Sequence, residues 1–160
     1  RENSGAGQLE TPVSAGLAGG VGPLADHLAD LVAGQKGSRR RRIVSSMTSL
    51  QGYLDGLGHD LYTFLGTLPA VHILGVTGEA AADATDNRLP RISFAVRGVP
   101  AETVHQRLFD NGLVTTLSPR TPLLTNMGVD EIGGAVTVAL GPFNTSADVE
   151  HLTRVLASLA

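Results

Sequence analysis

Two places in this sequence carry residue types whose setting could support chemistry. In ETPVSAGLAGGV, Thr11 stands just ahead of a helix-like run, where a hydroxyl and the free amides of a first helical turn can together hold an anion. The plainer reading of the same residue is a helix N-cap. The second place is Thr137, in the strand-like AVTVAL from Ala135 to Leu140. With Val136, Val138 and Leu140 facing a core, Ala135, Thr137 and Ala139 point the other way. A face of such small residues is expected to meet a cavity, a ligand or another chain.

Other chemistries find no complete set of residues. Cysteine is absent, which removes disulfides, thiolate metal sites and thiol nucleophiles from this chain. The five histidines, His27, His59, His72, His105 and His151, have no paired ligand spacing and read as surface or boundary residues. His59 and Asp60 adjoin each other within a helical stretch, and such neighbours do not share a face. Neither a Gly-x-Ser-x-Gly elbow nor a Walker-type glycine loop occurs. The four arginines Arg39 to Arg42 could bind phosphate, but no aromatic residue interleaves with them for stacking on bases. They read as a solvated helix start. Cations are unfavourable at a helix N-terminus, so they imply an acidic surface nearby, in the same protein.

Bulk properties bound the rest. A length of 160 residues suits one domain with a core, or one domain plus an appendage. Hydrophobic residues at 42% and charged residues at 17% lie in the globular range. The net charge of −3 provides no general attraction to nucleic acid or anionic lipid. No apolar run approaches the roughly 18 residues of a membrane span, and no segment is built like a signal peptide. The expectation is a cytoplasmic protein without nucleic-acid or membrane partners.

The elements that must position these residues follow from periodicity. Leu17, Val21, Leu24, Leu28 and Leu31 mark one helical face between Pro12 and Ala33. Gly19, Gly20 and Gly22 weaken its middle, at about 1 kcal/mol each against alanine, so a break or close packing is expected there. A longer helix opens at Arg39, carries its period on Ile43, Met47, Leu50, Leu54, Leu57 and Leu61, and ends at Leu68 and Pro69. Val71 to Val76 and Arg91 to Val96 read as strands. Pro100 is placed to be the first residue of a short helix that Asn111 and Gly112 stop. Leu113 to Ser118 makes a third strand, and Ser118 to Gly134 a long irregular segment of the kind that often carries function. Ala135 to Leu140 is the fourth strand. Thr145 and Asp148 form a capping box for a last helix with Val149, Leu152, Val155, Leu156 and Leu159 on its inner face. The order predicts an α+β fold, with helices packed on one face of a four-stranded sheet.

Several separated segments agree with one family. TPVSAGLAGGVGPLADHLADL, RRRRIVSSMTSLQGYLDGLGHDLYTFLGTLPAVHILGVT, RISFAVRGVPAETVHQRLFDNGLVTT and GAVTVALGPFNTSADVEHLTRVL together resemble the C-terminal portion of the cysteine desulfurase-like, class V aminotransferase family of pyridoxal-phosphate enzymes. The agreement includes the aromatic-Asn-Thr turn at Phe143, Asn144 and Thr145 and is collinear from Thr11 onward. It implies the C-terminal small domain of a PLP-dependent transferase of fold type I, with an N-terminal helix left from the large domain. Residues 1–37 would be the end of the large domain and its connection, and residues 38–160 the small domain with the long interdomain helix.

The same resemblance implies a pyridoxal 5'-phosphate cofactor, a homodimer, and a small amino acid or amine as substrate. The family's Schiff-base lysine follows a histidine upstream. The single lysine here, Lys36, lacks that histidine, so this chain alone is expected not to catalyse. Thr11 matches the threonine that reaches the cofactor phosphate of the neighbouring subunit, although Glu10 replaces the family's preceding glycine. Thr137 stands where the family usually has an arginine that grips the substrate carboxylate as a bidentate pair. With that fork gone, Arg120 in the long loop is the candidate to replace it. The desulfurase cysteine is missing from SPRTPLLTNMGV, which points to an aminotransferase-, epimerase- or lyase-like relative. A different class is also open: a non-catalytic α+β module that binds a ligand or serves in assembly.

Overall fold

The computed structural model describes residues 14–75 and 89–159, which fall into two compact units divided between Gln51 and Gly52. In the first unit, helix α1 runs Ala15–Ala29. The Ser14 hydroxyl caps it by accepting from the Leu17 amide at 3.2 Å. Contrary to expectation, the helix is continuous, and a Cβ added at Gly19, Gly20 or Gly22 would meet nothing within 4 Å. The glycines therefore serve neither a break nor a close contact among the described residues. Leu17, Val21 and Leu24 are 72%, 64% and 57% exposed, so the first half of the apolar face is unpacked.

Helix α2, Arg39–Gly66, begins in this unit. Arg39 pairs with Asp26 at 2.8 Å, and Arg42 pairs with Asp30. Acids near the C-terminal end of α1 and cations at the start of α2 are each badly placed for their own helix dipole. Pairing them offsets both penalties. The acidic surface implied by the arginine run is thus in the same chain. Ser46, fully buried, donates to the carbonyl of Ala29 at 3.2 Å.

The second unit contains the remainder of α2 and the sheet. Its strands are β1 Val71–Ile73, β2 Arg91–Val96, β3 Thr116–Leu117 and β4 Val136–Ala139. They are antiparallel throughout, in the order β1-β2-β4-β3. Helix α3 spans Ala101–Asp110, a short helix α4 spans Pro122–Asn126, and α5 spans Ser146–Ala157. On one sheet face Ile92, Phe94, Val96, Val136 and Val138 join Leu61 and Leu65 of α2, Val104 and Leu108 of α3, and Val149, Leu152, Val155 and Leu156 of α5 in one core. Leu159 packs against it. Alternation in β2 and β4 and the 3.6-residue period of the helices made these faces readable.

Departures from expectation are local. Pro100 is the N-cap of α3 and not its first helical residue. Gly112, at φ +77°, ends that helix as expected, its amide bonding to the Phe109 carbonyl and that of Leu113 to Leu108. β1 closes at Ile73, and Val76 lies outside the described residues. β3 is shorter than Leu113 to Ser118; Thr115, just before it, is buried with its hydroxyl 2.8 Å from Nδ1 of His105, and Pro119, just after Ser118, has no amide to extend the ladder. The irregular segment holds α4, capped by the Thr121 hydroxyl accepting from the Leu124 amide.

At the start of α5, the Asp148 carboxylate accepts from the Thr145 amide at 2.8 Å and from its hydroxyl at 3.3 Å. Those bonds, the backbone one foremost, hold Asp148 below the ordinary aspartate value of 3.8, with Asn144 and His151 adding to the effect against partial desolvation. A lowered folded-state pKa contributes stability above the unfolded value, which is lost as pH falls through the folded one. Asp148→Ala is therefore expected to melt below wild type at neutral pH. The gap should close as pH drops below about 4, as a thermal melt series from pH 7 to pH 2 would record.

Candidate functional site

A cleft of about 280 Å³ opens where the segment after β3 folds back toward the start of β4. This is just below the roughly 300–1,000 Å³ usual for small-molecule sites. Four stretches form it. Ser118, Pro119 and Arg120 leave β3; Leu124, Thr125, Val129 and Asp130 belong to α4 and the turn beyond; Gly133, Gly134 and Ala135 lead into β4 beside Ala101 and Glu102 of α3.

Local chemistry explains the shape. The Thr125 hydroxyl donates to Asp130 at 2.9 Å, the amide of Gly134 bonds to the Val129 carbonyl at 2.9 Å, and that of Ala101 to the Gly133 carbonyl at 3.0 Å. Gly133 and Gly134 have φ of +81° and +89°, conformations that side chains other than glycine's rarely adopt. A Cβ on Gly134 would lie 3.0 Å from the Cβ of Ala101. The glycine pair lets the loop press against the start of α3 and close the cleft floor.

The charged groups of the cleft are Arg120, Glu102 and Asp130, all exposed. Arg120 has no hydrogen-bond or ion-pair partner among the described residues. Its guanidinium is available to a carboxylate or phosphate, which it can grip with two parallel N–H donors.

Thr137 does not line the cleft. It is 4% exposed in the middle of the sheet, opposite Ser93 on β2 and Thr116 on β3. Its hydroxyl lies 2.8 Å from that of Ser93 and 2.8 Å from that of Ser118. Ser118 is also a cleft residue, so Thr137 is linked through it to the cleft that Arg120 lines. Of the small-residue face expected to meet a cavity, Ala135 does so, Thr137 is closed over by its neighbours, and Ala139 is exposed. Thr11 lies outside the described residues, as does Glu10.

Sequence reasoning overlooked Ser118, Gly133 and Gly134 as site residues. The Gly-Gly pair before a strand was a signal for close backbone approach. Ser118 left none, because its link to Thr137 depends on strand pairing. Among the described residues no three His, Asp or Glu side chains gather as metal ligands, and no helix is long and apolar enough to cross a membrane.

The chain matches no known family model. It is 40% identical over 144 residues to an uncharacterized protein of Mycobacterium tuberculosis (strain CDC 1551 / Oshkosh), a match covering 90% of this chain and 34% of that protein. Among solved structures it is similar to a NifS-like protein from Rickettsia africae ESF-5, at TM-score 0.56 and 18% identity over 76% of this chain and 32% of that one. A second NifS-like protein gives TM-score 0.55 and 21% identity over 76% and 31%. The chain thus spans about a third of the length of the relatives it matches. At these identities the structural likeness is one of fold. The α+β arrangement agrees with a small domain of NifS-like, cysteine desulfurase-like proteins.

Because Gly134 combines positive φ with contact at Ala101, Gly134→Ala should destabilise the second unit by about 1–3 kcal/mol. Gly133→Ala should cost less, since its Cβ would meet its nearest neighbour at an ordinary 3.7 Å. Denaturant melts of the two variants would give that order.

Proposed function

We propose that this chain is the C-terminal part of a pyridoxal-phosphate-dependent enzyme of the cysteine desulfurase-like, class V aminotransferase type, acting on an amino acid or amine without a thiol nucleophile. The observation that carries the reading is the unpaired Arg120 in a small cleft, on a fold similar to NifS-like proteins. In this reading residues 1–37 close the large domain and residues 38–160 are the small domain. The working form is a cytoplasmic homodimer, with Thr11 reaching the cofactor phosphate of the neighbouring subunit.

The described residues do not by themselves fit the cofactor. Its aldehyde requires a lysine, and Lys36 is an exposed loop residue between α1 and α2. No lysine lines the cleft. Covalent anchoring of the cofactor accordingly falls to the rest of the longer protein, and this chain's part, beside the phosphate contact of Thr11, is to hold the substrate. Arg120 takes the carboxylate that the threonine at position 137 cannot grip. Asp130 and Glu102 stand on the same cleft to receive a positively charged group. The absence of cysteine directs the chemistry away from the persulfide route.

The test is the visible spectrum of the longer protein reconstituted with pyridoxal 5'-phosphate, before and after borohydride, with a panel of amino acids and amines. A cofactor band that borohydride removes and one class of amino acid shifts is the expected result. With no band, the non-catalytic binding module is the reading that remains. Arg120→Gln should raise the concentration of amino acid needed for the shift by about 10–100-fold, the worth of a charge-assisted bidentate pair, and leave the cofactor band itself in place.

A further inference from the structure

We propose that Thr137 is a positioning residue whose buried hydroxyl accepts from Ser93 and donates to Ser118, leaving the Ser118 hydrogen to donate into the cleft, to the carboxylate drawn there by Arg120. The proposal rests on reading the cleft as a carboxylate site, and it concerns how that site is tuned.

Ser93, Thr137 and Ser118 bring one hydroxyl hydrogen each, and the two contacts between them are both 2.8 Å. Thr137 can donate to one neighbour only; accepting from both would leave its own buried hydrogen without an acceptor among the described residues, which is costly, so it accepts from one and donates to the other. The chain therefore has two directions. Running toward the cleft, Ser93 donates to Thr137, Thr137 donates to Ser118, and the Ser118 hydrogen is free for a ligand. Running away from it, Ser118 spends its hydrogen on Thr137 and offers the cleft only a lone pair.

Ser93 and Ser118 have no other side-chain hydrogen-bond partner among the described residues. The direction is thus left for the ligand to select. An anion beside Ser118 selects the first direction, and each hydroxyl in such a chain polarises the next. Arg120 lines the same cleft two residues beyond Ser118 and recruits that anion. Burial makes the central hydroxyl indispensable: at 4% exposure, Thr137 occupies a position that water cannot fill in its place.

An NMR titration of the full chain with propionate, and with its neutral isostere propionamide, reads the effect on the amides of Ser118, Arg120 and Gly134. Thr137→Val keeps the shape and removes the hydroxyl. It should weaken propionate binding about fivefold and propionamide binding no more than about twofold, since hydrogen bonds to ionised groups are roughly twice as strong as neutral ones. Thr137→Ser should return propionate affinity to wild type, and Ser93→Ala, at the far end, should lose about twofold. Equal losses for both ligands in Thr137→Val, or undiminished propionate binding, overturn the positioning role and leave the cleft reading standing. If propionate moves none of the three amides in wild type, the cleft reading falls and the proposal with it. Should Thr137→Val lose its dispersed spectrum, Ser93→Ala decides: unchanged propionate affinity in that variant overturns the proposal.

Discussion

The second unit depends on one short strand that is buried on both faces. β4 is paired on both sides, with β2 along one edge and β3 along the other. Of its residues, Val136, Thr137 and Val138 are buried. On one face the valines enter the core shared with α2, α3 and α5, where burial of each such side chain contributes about 1.5–3 kcal/mol. On the other face Thr137 must find partners for a polar group from which water is excluded, because an unmet buried hydroxyl costs about 1–3 kcal/mol. Ser93 and Ser118 meet that demand. The apolar side of β4 thereby organises the helices, and its polar side ties the sheet to the segment that builds the cleft.

That tie brings together residues of different origin. Ser93 lies in the middle of β2, Thr137 in β4, and Ser118 just past β3. Thr137 sits directly opposite Thr116 in the register, yet bonds to Ser118, the diagonal neighbour. The loop beyond Ser118 is held against α3 by the close approach of Gly134 to Ala101. A side chain at position 134 would meet the Cβ of Ala101 at 3.0 Å in a backbone conformation that favours glycine. Backbone geometry at one glycine and hydroxyl pairing at one threonine therefore set the walls of the same cavity.

The first unit follows a different logic. Its helices are joined by ion pairs between residues that are individually misplaced, acids at the end of α1 and arginines at the start of α2. Exposed pairs of this kind are worth little alone, about 0–1 kcal/mol. Their significance is geometric, and the buried bond from Ser46 to Ala29 fixes the same junction. The exposed Leu17, Val21 and Leu24 show that an apolar period marks which face of a helix can be buried, not that the described residues bury it.

What the sequence by itself determined is whatever depends on neighbours a few residues apart. Alternation in RISFAV and AVTVAL placed the core-facing valines and Phe94; the Thr145 and Asp148 spacing placed the start of α5; Asn111 and Gly112 placed the end of α3. The order of elements, apart from α4, and the α+β class followed from these. The tertiary structure alone decided which strands became neighbours, and therefore that Thr137 would be sealed between two serines 44 and 19 residues away in sequence. Pairing of distant strands is set by the summed burial of whole faces, which no local window contains. For the same reason Arg120 was visible only as an arginine in a loop, and its place in a cleft with Ser118, Gly134 and Asp130 came from the folding of that loop against α3.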